Sequence, residues 1–422
     1  MANDIIVSEM TSASQINTND LMIMTQPDLL AETGYSTKKG TVLQVANKML
    51  KGTEYLTDLP DFTDKTVLGG LEELKGDLTA LLPVNTASGA IANFDTDLTL
   101  PLVDCKANIV ATGGNGTPDN PVPINGYSSA NITRCGSNLW DEEWELGSFD
   151  ATGNLTPNNN AIRSSNFTPI VGGASFYFAC NVSAVTNLLI YYYDEDQTFI
   201  SRDVGTASRV VTTPANCRYF KIRLDNINTY SSGVAVNYPS TDTTYHAYNG
   251  QTYAIAFGQT VYGGVLDVTR GKLTVTHLRK TSFTRGALDT SGKLYKIADL
   301  TDGSEWLDTY NAPPLKCNMF VIVGLGEART LNSGQLTQYG KVVYISGYVG
   351  NETALDALLP NLEVVYPLAT PIDIDLTPTQ INALVGVNNV YNDTNGDTEV
   401  KYKEGIQHYI DKKIAETQAL IL

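Results

Sequence analysis

The hydrophobic positions of this 422-residue chain fall mostly into short runs that alternate with polar residues, and turn-forming residues separate the runs. Alternation with a period of two is typical of half-buried strands, and Gly, Asn, Asp and Pro mark the turns between them. We therefore expect a mainly β fold, with a jelly-roll-like β-sandwich at 138–245. The predicted strands lie at 175–180, 187–193, 198–202, 209–213, 218–224, 252–257, 261–268, 272–278, 318–324, 341–349, 387–391 and 398–402.

Two turn sequences predict hairpins. Asn395-Gly396 lies between the last two predicted strands, and both residues tolerate the positive φ of a tight turn. A calcium loop is the alternative there, but the EF-hand spacing is absent. The stretch around Gly271-Lys272 has two residues of a phosphate-binding loop but lacks its first glycine and its final Ser or Thr. Its alternating pattern predicts a hairpin instead.

Two segments carry a helical pattern. Before Pro83, apolar residues recur in steps of four and three, like the a/d seam of a coiled coil, although Gly69, Gly70 and Gly76 weaken it. An ordinary amphipathic helix packed on a neighbour is the alternative. The seam residues, which we interpret as an oligomerisation stalk, are Val67, Leu71, Leu74, Leu78 and Leu81. A terminal helix is predicted by the stripe Ile406, Ile410, Ile414, Thr417 and Ile421.

These patterns divide the chain into six expected segments. The N-terminal segment has two short apolar runs but is too small for a core of its own, so we expect a partner to order it. The segments are an adaptor at 1–50, a helical stalk or linker at 51–85, a β linker at 86–137, the sandwich at 138–245, a β-rich distal domain at 246–402 and a C-terminal helix at 403–422.

Charge limits the partners. The formal net charge is −17, with 28 Lys and Arg against 45 Asp and Glu, which repels the phosphate backbone of nucleic acids. No run approaches the roughly 18 apolar residues that a membrane span needs, so membrane insertion is not expected. Neutral glycans and protein surfaces remain possible targets. The five cysteines are widely spaced and predict buried, unpaired thiols without a metal site.

Catalytic signatures are missing from the sequence. The three histidines are in separate regions, and neither HExxH nor GxSxG occurs. Acidic clusters at 141–145 and 194–196 stand beside aromatic residues, where they are either part of a sugar site or solvated turn residues. We expect a protein that is not an enzyme and has no cofactor.

Aromatic residues in the sandwich segment are the candidates for sugar binding. Aromatic rings offer flat apolar faces to the C–H groups of sugars. The candidates are Trp140, Trp144, Tyr191 and Tyr193. Period two puts Tyr191 and Tyr193 on one strand face and Tyr192 on the other, and the pattern leaves open which face is core.

Several stretches resemble structural and tail-appendage proteins of tailed phages of Gram-positive, Firmicutes-like hosts. SEMTSASQINTNDLMIMTQPD with YSTKKGTVLQVANKML is similar to the adaptor of phage fibres. GYSSANITRCGSNLW, FYFACNVS, IYYYDEDQTFISR and TTPANCRYFKIRL resemble a jelly-roll module similar to carbohydrate-binding sandwiches. TYAIAFGQTVYGGVLDVTRGKLTVTH and VYPLATPIDIDLTPTQINALVGVNNVYNDTNGDTEVKYK resemble elements that follow it.

The resemblance implies a virion component that is assembled in the host cytoplasm and is generally trimeric. Our leading hypothesis is a tail fibre or receptor-binding component, joined to other virion proteins through its N-terminus and presenting the sandwich to host-surface glycans. A head-fibre or decoration protein without a receptor is the alternative. A glycan depolymerase ranks third.

The purified chain should be a stable oligomer, most simply a homotrimer. The seam before Pro83 and the terminal apolar stripe are both too short to be stable as isolated helices, so we expect them to form between chains. Multi-angle light scattering at micromolar concentration measures the mass directly. A monomer would contradict the prediction.

Overall fold

The computed structural model describes 21–27, 35–41 and 82–415, the last with gaps at 183–186, 207, 228, 230–232, 331–333, 406–407, 410 and 413. The chain divides into two compact units, Met1–Leu82 and Pro83–Leu422. In the first unit, β1 (Leu21–Pro27) and β2 (Tyr35–Thr41) form an antiparallel hairpin. The predicted seam residues Val67, Leu71, Leu74, Leu78 and Leu81 lie outside the described residues, so the stalk stays a prediction.

The described part of the second unit is mainly β, which confirms the predicted fold class. Its first strands are β3 Val84–Gly89, β4 Ile91–Thr96, β5 Asp104–Val110, β6 Thr112–Gly113, β7 Ile124–Asn125, β8 Tyr127–Cys135, β9 Trp144–Leu146, β10 Ser148–Phe149, β11 Leu155–Thr156, β12 Ala161–Ser164, β13 Thr168–Pro169, β14 Ser175–Cys180, β15 Asn187–Tyr193, β16 Phe199–Thr206, β17 Arg209–Thr212, β18 Tyr219–Asp225 and β19 Val234–Asn237. There follow β20 Gln251–Val261, β21 Gly263–Asp267, β22 Lys272–Lys280, β23 Leu294–Asp299, β24 Lys316–Cys317, β25 Val321–Ile322, α1 Leu325–Ala328, β26 Gln335–Tyr339, β27 Val342–Ser346, α2 Glu352–Leu358, a 3₁₀ turn Leu359–Asn361, β28 Val364–Asp375, β29 Gly386–Asn392 and β30 Asn395–Lys403.

Two sheets form a central sandwich, which we call the body. A four-stranded sheet has the order β20-β8-β29-β4, and a seven-stranded sheet has the order β24-β28-β22-β21-β5-β30-β3. Both contribute to one core, in which Phe94 stacks on Tyr402 with ring centroids 4.3 Å apart. On β5, period two directs Cys105, Ala107 and Ile109 into this core.

The segment 86–137 differs from the expected linker. It supplies β4, β5 and β8, which pair with strands from the last third of the chain. Residues 86–137 and parts of the expected distal domain therefore form one body. Local sequence patterns could not reveal this, because sheet pairing between distant segments leaves no local signal.

Two domains are inserted between neighbouring body strands. The first inserted domain, 136–250, joins β8 to β20 and has a six-stranded sheet, β16-β15-β18-β12-β9 with β13 on β18, and a three-stranded sheet, β17-β14-β19. The second inserted domain, 281–363, joins β22 to β28 and contains the sheet β23-β27-β26-β25 with α1 and α2. Each has a hydrophobic core that also includes body residues, Ile91, Cys135 and Tyr391 in the first and Val364 and Tyr366 in the second.

The strand register shows which parts of the chain lie at each end of the body. Val84 at the start of β3 pairs with Lys403 at the end of β30, so the chain enters and leaves the body at one point. The β21–β22 turn lies at this same end of the sheet, because Asp267 pairs with Lys106 near the start of β5. The opposite end of β22 pairs Lys280 with Val364, and there the second inserted domain begins.

Polar contacts fix the first inserted domain to the body. Asp196 accepts a hydrogen bond of 2.7 Å from the backbone N–H of Gly113, and Glu195 accepts one of 2.9 Å from the side-chain amide of Asn395. The Arg218 guanidinium donates to the carbonyl of Gly396 at 2.9 Å. The acidic cluster at 194–196 therefore joins two domains.

The predicted hairpin around Gly271 is confirmed, but the one at Asn395-Gly396 is wrong. The turn there connects β29 to β30, which belong to different sheets and do not pair with each other, so it links the two sheets of the body. Asn395 has φ +59°, and a Cβ on Gly396 would lie 2.1 Å from the carbonyl oxygen of Asn108, so only glycine fits there. Strands β21 and β22 are antiparallel around Gly271, which has φ +63°. Near the C-terminus, 408–409, 411–412 and 414–415 are helical. Of the predicted terminal stripe, Ile414 is described and is half exposed.

All five cysteines are free and buried, as predicted. Burial is the main cause that raises the pKa of the Cys105 and Cys135 thiols to about 12. Such thiols are almost entirely protonated at neutral pH, and they pack as small apolar side chains.

Replacing Trp140 by alanine should lower the free energy of unfolding of the first inserted domain by about 3–5 kcal/mol, the usual cost of truncating a buried aromatic side chain. Tyr310→Ala is the control, because that ring is 88% exposed and its loss should change stability by only about 0.5 kcal/mol. Urea unfolding followed by circular dichroism compares the two variants. Equal midpoints would contradict the prediction.

Candidate surface-binding site

The four aromatic residues predicted to bind sugar lie in the first inserted domain, and most of their ring surface is enclosed. Trp140 and Tyr191 are 0% exposed and Tyr193 is 4% exposed. Trp144 is half-buried, and its ring stands edge-on to Trp140 with centroids 5.2 Å apart. A ring stacks on a sugar only through an exposed face, so Trp140, Tyr191 and Tyr193 are core residues and not a sugar platform.

Strand β15 explains the burial of its tyrosines, since both of its faces are covered. Tyr192 packs into the main core of the domain. Tyr191 and Tyr193 face a second cluster, where Phe149 lies 4.8 Å from Tyr191 and Phe167 lies 4.9 Å from Tyr193 between ring centroids. Burial is the main cause that raises the pKa of Tyr192 and of Tyr193.

The acidic residues near these aromatics make structural contacts. Glu142 accepts hydrogen bonds from the backbone N–H groups of Gly233 and Val234 at 2.8 and 2.6 Å. Glu145 forms an ion pair with Arg163 at 2.6 Å. These carboxylates therefore stabilise the domain, which favours the interpretation of the cluster at 141–145 as structural.

The second inserted domain carries an exposed aromatic loop, 305–311. Trp306 and Gly340 exchange two backbone hydrogen bonds of 3.0 and 2.9 Å, which fix the start of the loop on the sheet. The N–H of Gly326 donates to the carbonyl of Thr309 at 2.7 Å. Tyr310 is nevertheless 88% exposed, and Leu307 and Tyr339 are also exposed. The aromatic loop thus presents apolar surface on a fixed backbone.

Asp308 orders the tip of the aromatic loop. Its carboxylate accepts hydrogen bonds from the backbone N–H groups of Tyr310 at 2.8 Å and Asn311 at 3.1 Å, and from the side-chain amide of Asn311 at 2.6 Å. These bonds, led by the one from the Asn311 side chain, lower the pKa of Asp308. The lowered pKa means that these contacts persist at neutral pH and are lost only as the pH falls through it. A preordered loop loses little conformational entropy on binding.

A cleft of about 360 Å³ lies beside the aromatic loop, between the body and the second inserted domain. Leu278, Leu368 and Ile372 from β22 and β28 supply its apolar surface, and Asp302 and Lys341 supply charge. Its volume is within the range of about 300–1,000 Å³ that is usual for ligand sites. Lys341 directly follows Gly340, whose backbone bonds to Trp306, so the cleft and the aromatic loop share one piece of sheet edge.

The sequence prediction missed this site because its candidates were aromatic residues of the predicted sandwich, 138–245. The stretch Glu305-Trp-Leu-Asp-Thr-Tyr-Asn-Ala-Pro-Pro has a signal of its own, because it places two aromatic residues and a leucine among turn-forming residues. Apolar side chains in such a loop have little opportunity to enter a core.

No protein-family model, curated protein or solved structure matches the chain. In the part of the chain that the structure describes, no helix is long and apolar enough to span a membrane. Within those same residues, no group of three or more His, Cys, Asp or Glu side chains is arranged to hold a metal ion.

Replacing Asp308 by alanine should loosen the tip of the aromatic loop. The amides of Tyr310 and Asn311 lose a charged acceptor, so their hydrogen exchange should become roughly tenfold faster at neutral pH. Glu305→Ala, which removes an exposed carboxylate from the same loop, is the control and should leave both rates unchanged. Hydrogen–deuterium exchange mass spectrometry of the loop peptide measures this. Equal rates in the two variants would exclude the ordering role of Asp308.

Proposed function

We propose that this chain is a non-enzymatic structural component of a tailed-phage virion, an appendage that is anchored through residues 1–50 and presents its second inserted domain to the host surface. The observation that carries the proposal is the register of the seven-stranded sheet. The chain enters and leaves the body at Val84 and Lys403, whereas the second inserted domain begins at the opposite end, at Lys280 and Val364. An appendage needs its attachment point to be separate from the surface that it presents to the host, and this register separates the two ends of the body.

The surfaces of the two inserted domains support the same proposal, in which the second domain and not the first is presented to the host. The first one turns its aromatic residues inward and is joined to the body by Asp196, Glu195 and Arg218. The second one exposes Tyr310 and Leu307 on an ordered loop. Exposed apolar side chains on a rigid loop are typical of a binding surface, which favours a receptor-binding appendage over a decoration protein without a receptor.

The resemblance to phage appendage proteins supports the virion assignment independently. The stretches that carry it fall in the N-terminal unit, the first inserted domain and the body strands β8, β20–β22 and β28–β30. The negative charge of the chain fits a neutral glycan better than an anionic polymer, because an anionic target would be repelled.

The full-length chain should be found in purified particles, and a chain without residues 1–50 should not. The experiment complements a phage lacking this gene with either form or with Tyr310→Ala as the control, and identifies the chain in gradient-purified particles by mass spectrometry. We expect incorporation of the full-length chain and of the control, because the Tyr310 ring lies far along the chain from the anchor.

Absence of the full-length chain from particles would contradict the virion assignment. Incorporation of the truncated chain would instead place the anchor elsewhere. A thermal melt of the truncated chain separates loss of the anchor from misfolding, since the body and both inserted domains should retain their transition.

A further inference from the structure

Two charged side chains that line the cleft, Asp302 and Lys341, have no oppositely charged partner among the described residues. Among the residues that the structure describes, neither Asp302 nor Lys341 forms an ion pair, either with each other or with a third residue. The Lys341 ammonium has one long contact of 3.5 Å, to the carbonyl oxygen of Thr301. Their hydrogen-bonding capacity therefore remains available to a ligand.

Several other charged side chains of β22, β28 and the second inserted domain do form ion pairs. Lys272 on β22 pairs with Asp373 on β28 at 2.8 Å, and Lys296 pairs with Asp299 on β23 at 2.8 Å. The guanidinium of Arg285 donates two hydrogen bonds to the Asp356 carboxylate, at 2.8 and 2.9 Å. Asp302 and Lys341 differ from these paired side chains.

The cleft combines these two charges with an apolar surface formed by Leu278, Leu368 and Ile372. A sugar ring matches this combination, because its C–H groups pack on aliphatic side chains while adjacent hydroxyls donate to a carboxylate and accept from an ammonium. A strongly anionic ligand would be repelled by Asp302 and by the net charge of −17. A cationic ligand would be repelled by Lys341 at short range.

We infer that this cleft binds a neutral hexose unit of the surface glycan, with Asp302 accepting and Lys341 donating hydrogen bonds to adjacent hydroxyls. The inference rests on the proposed function, because it assigns the sugar contact of the presented domain. The aromatic loop extends the same site, since the backbone bonds between Trp306 and Gly340 place the loop beside Lys341. A longer glycan therefore has a second contact along the sheet edge.

The test uses the full-length protein and saturation-transfer NMR with glucose, galactose and N-acetylglucosamine at millimolar concentration, and with glucuronate as the anionic comparison. We expect saturation transfer to at least one neutral hexose and much less to glucuronate. The double variant Asp302→Asn with Lys341→Ala should weaken that binding about tenfold or more, because two hydrogen bonds to charged groups are lost.

The matched control is Asp299→Asn with Lys296→Ala, which removes the same two charge types from an exposed ion pair of the same domain. It should bind the hexose like the unaltered protein. Binding that survives in the cleft variant, or the absence of binding by any of the three hexoses, would overturn the inference. Neither result touches the virion assignment, which fails only if the full-length chain is missing from particles.

Discussion

The body depends on one buried carboxylate and the strands that it links. Asp104, at the start of β5, is 2% exposed. Its carboxylate lies 3.1 Å from the Lys106 ammonium, 3.7 Å from the Arg270 guanidinium and 4.0 Å from the Lys401 ammonium. Burial by itself raises the pKa of Asp104, but the contacts with Lys106, Thr269 and Arg270 outweigh it and lower the pKa below its ordinary value. The cluster joins β5 and β30 with the β21–β22 turn at the end where the chain enters.

The pairing of β5 with β21 and β30 also determines which connections of the body can contain an inserted domain. Because these neighbours come from distant parts of the chain, the connections between them have room for whole domains. Both insertions join antiparallel neighbours, β8 to β20 and β22 to β28, so each leaves and re-enters the body at adjacent strand ends. An inserted domain with adjacent ends leaves the pairing of these body strands intact.

Asparagine side chains fix these connections. Asn389 is fully buried and donates to the carbonyls of Gly136 and Tyr238 at 2.8 and 3.1 Å, which joins a body strand to the start of the first inserted domain and to the segment that follows β19. Asn392 donates to the carbonyl of Gly396 at 2.9 Å and orders the turn between β29 and β30. Each amide satisfies backbone groups that would otherwise be buried without partners. Many of the asparagines in the sequence thus have a structural use inside the fold.

The sequence by itself determined several strands and turns, because these depend on local residues. The predicted strands 175–180 and 187–193 coincide with β14 and β15, the alternating pattern around Gly271 predicts the β21–β22 hairpin, and the five buried thiols follow from residue type. Residue type also predicts the turn at Asn395, but not that it connects two different sheets. Tertiary structure decided what covers each strand face. Period two distinguishes the two faces of β15, but only packing of a second aromatic cluster buries Tyr191 and Tyr193 together with Tyr192. Tertiary structure also placed 86–137 in the body, because its strands pair with strands from distant parts of the chain. Tyr310 stays exposed for a similar reason, since the exposure of a loop depends on the whole fold.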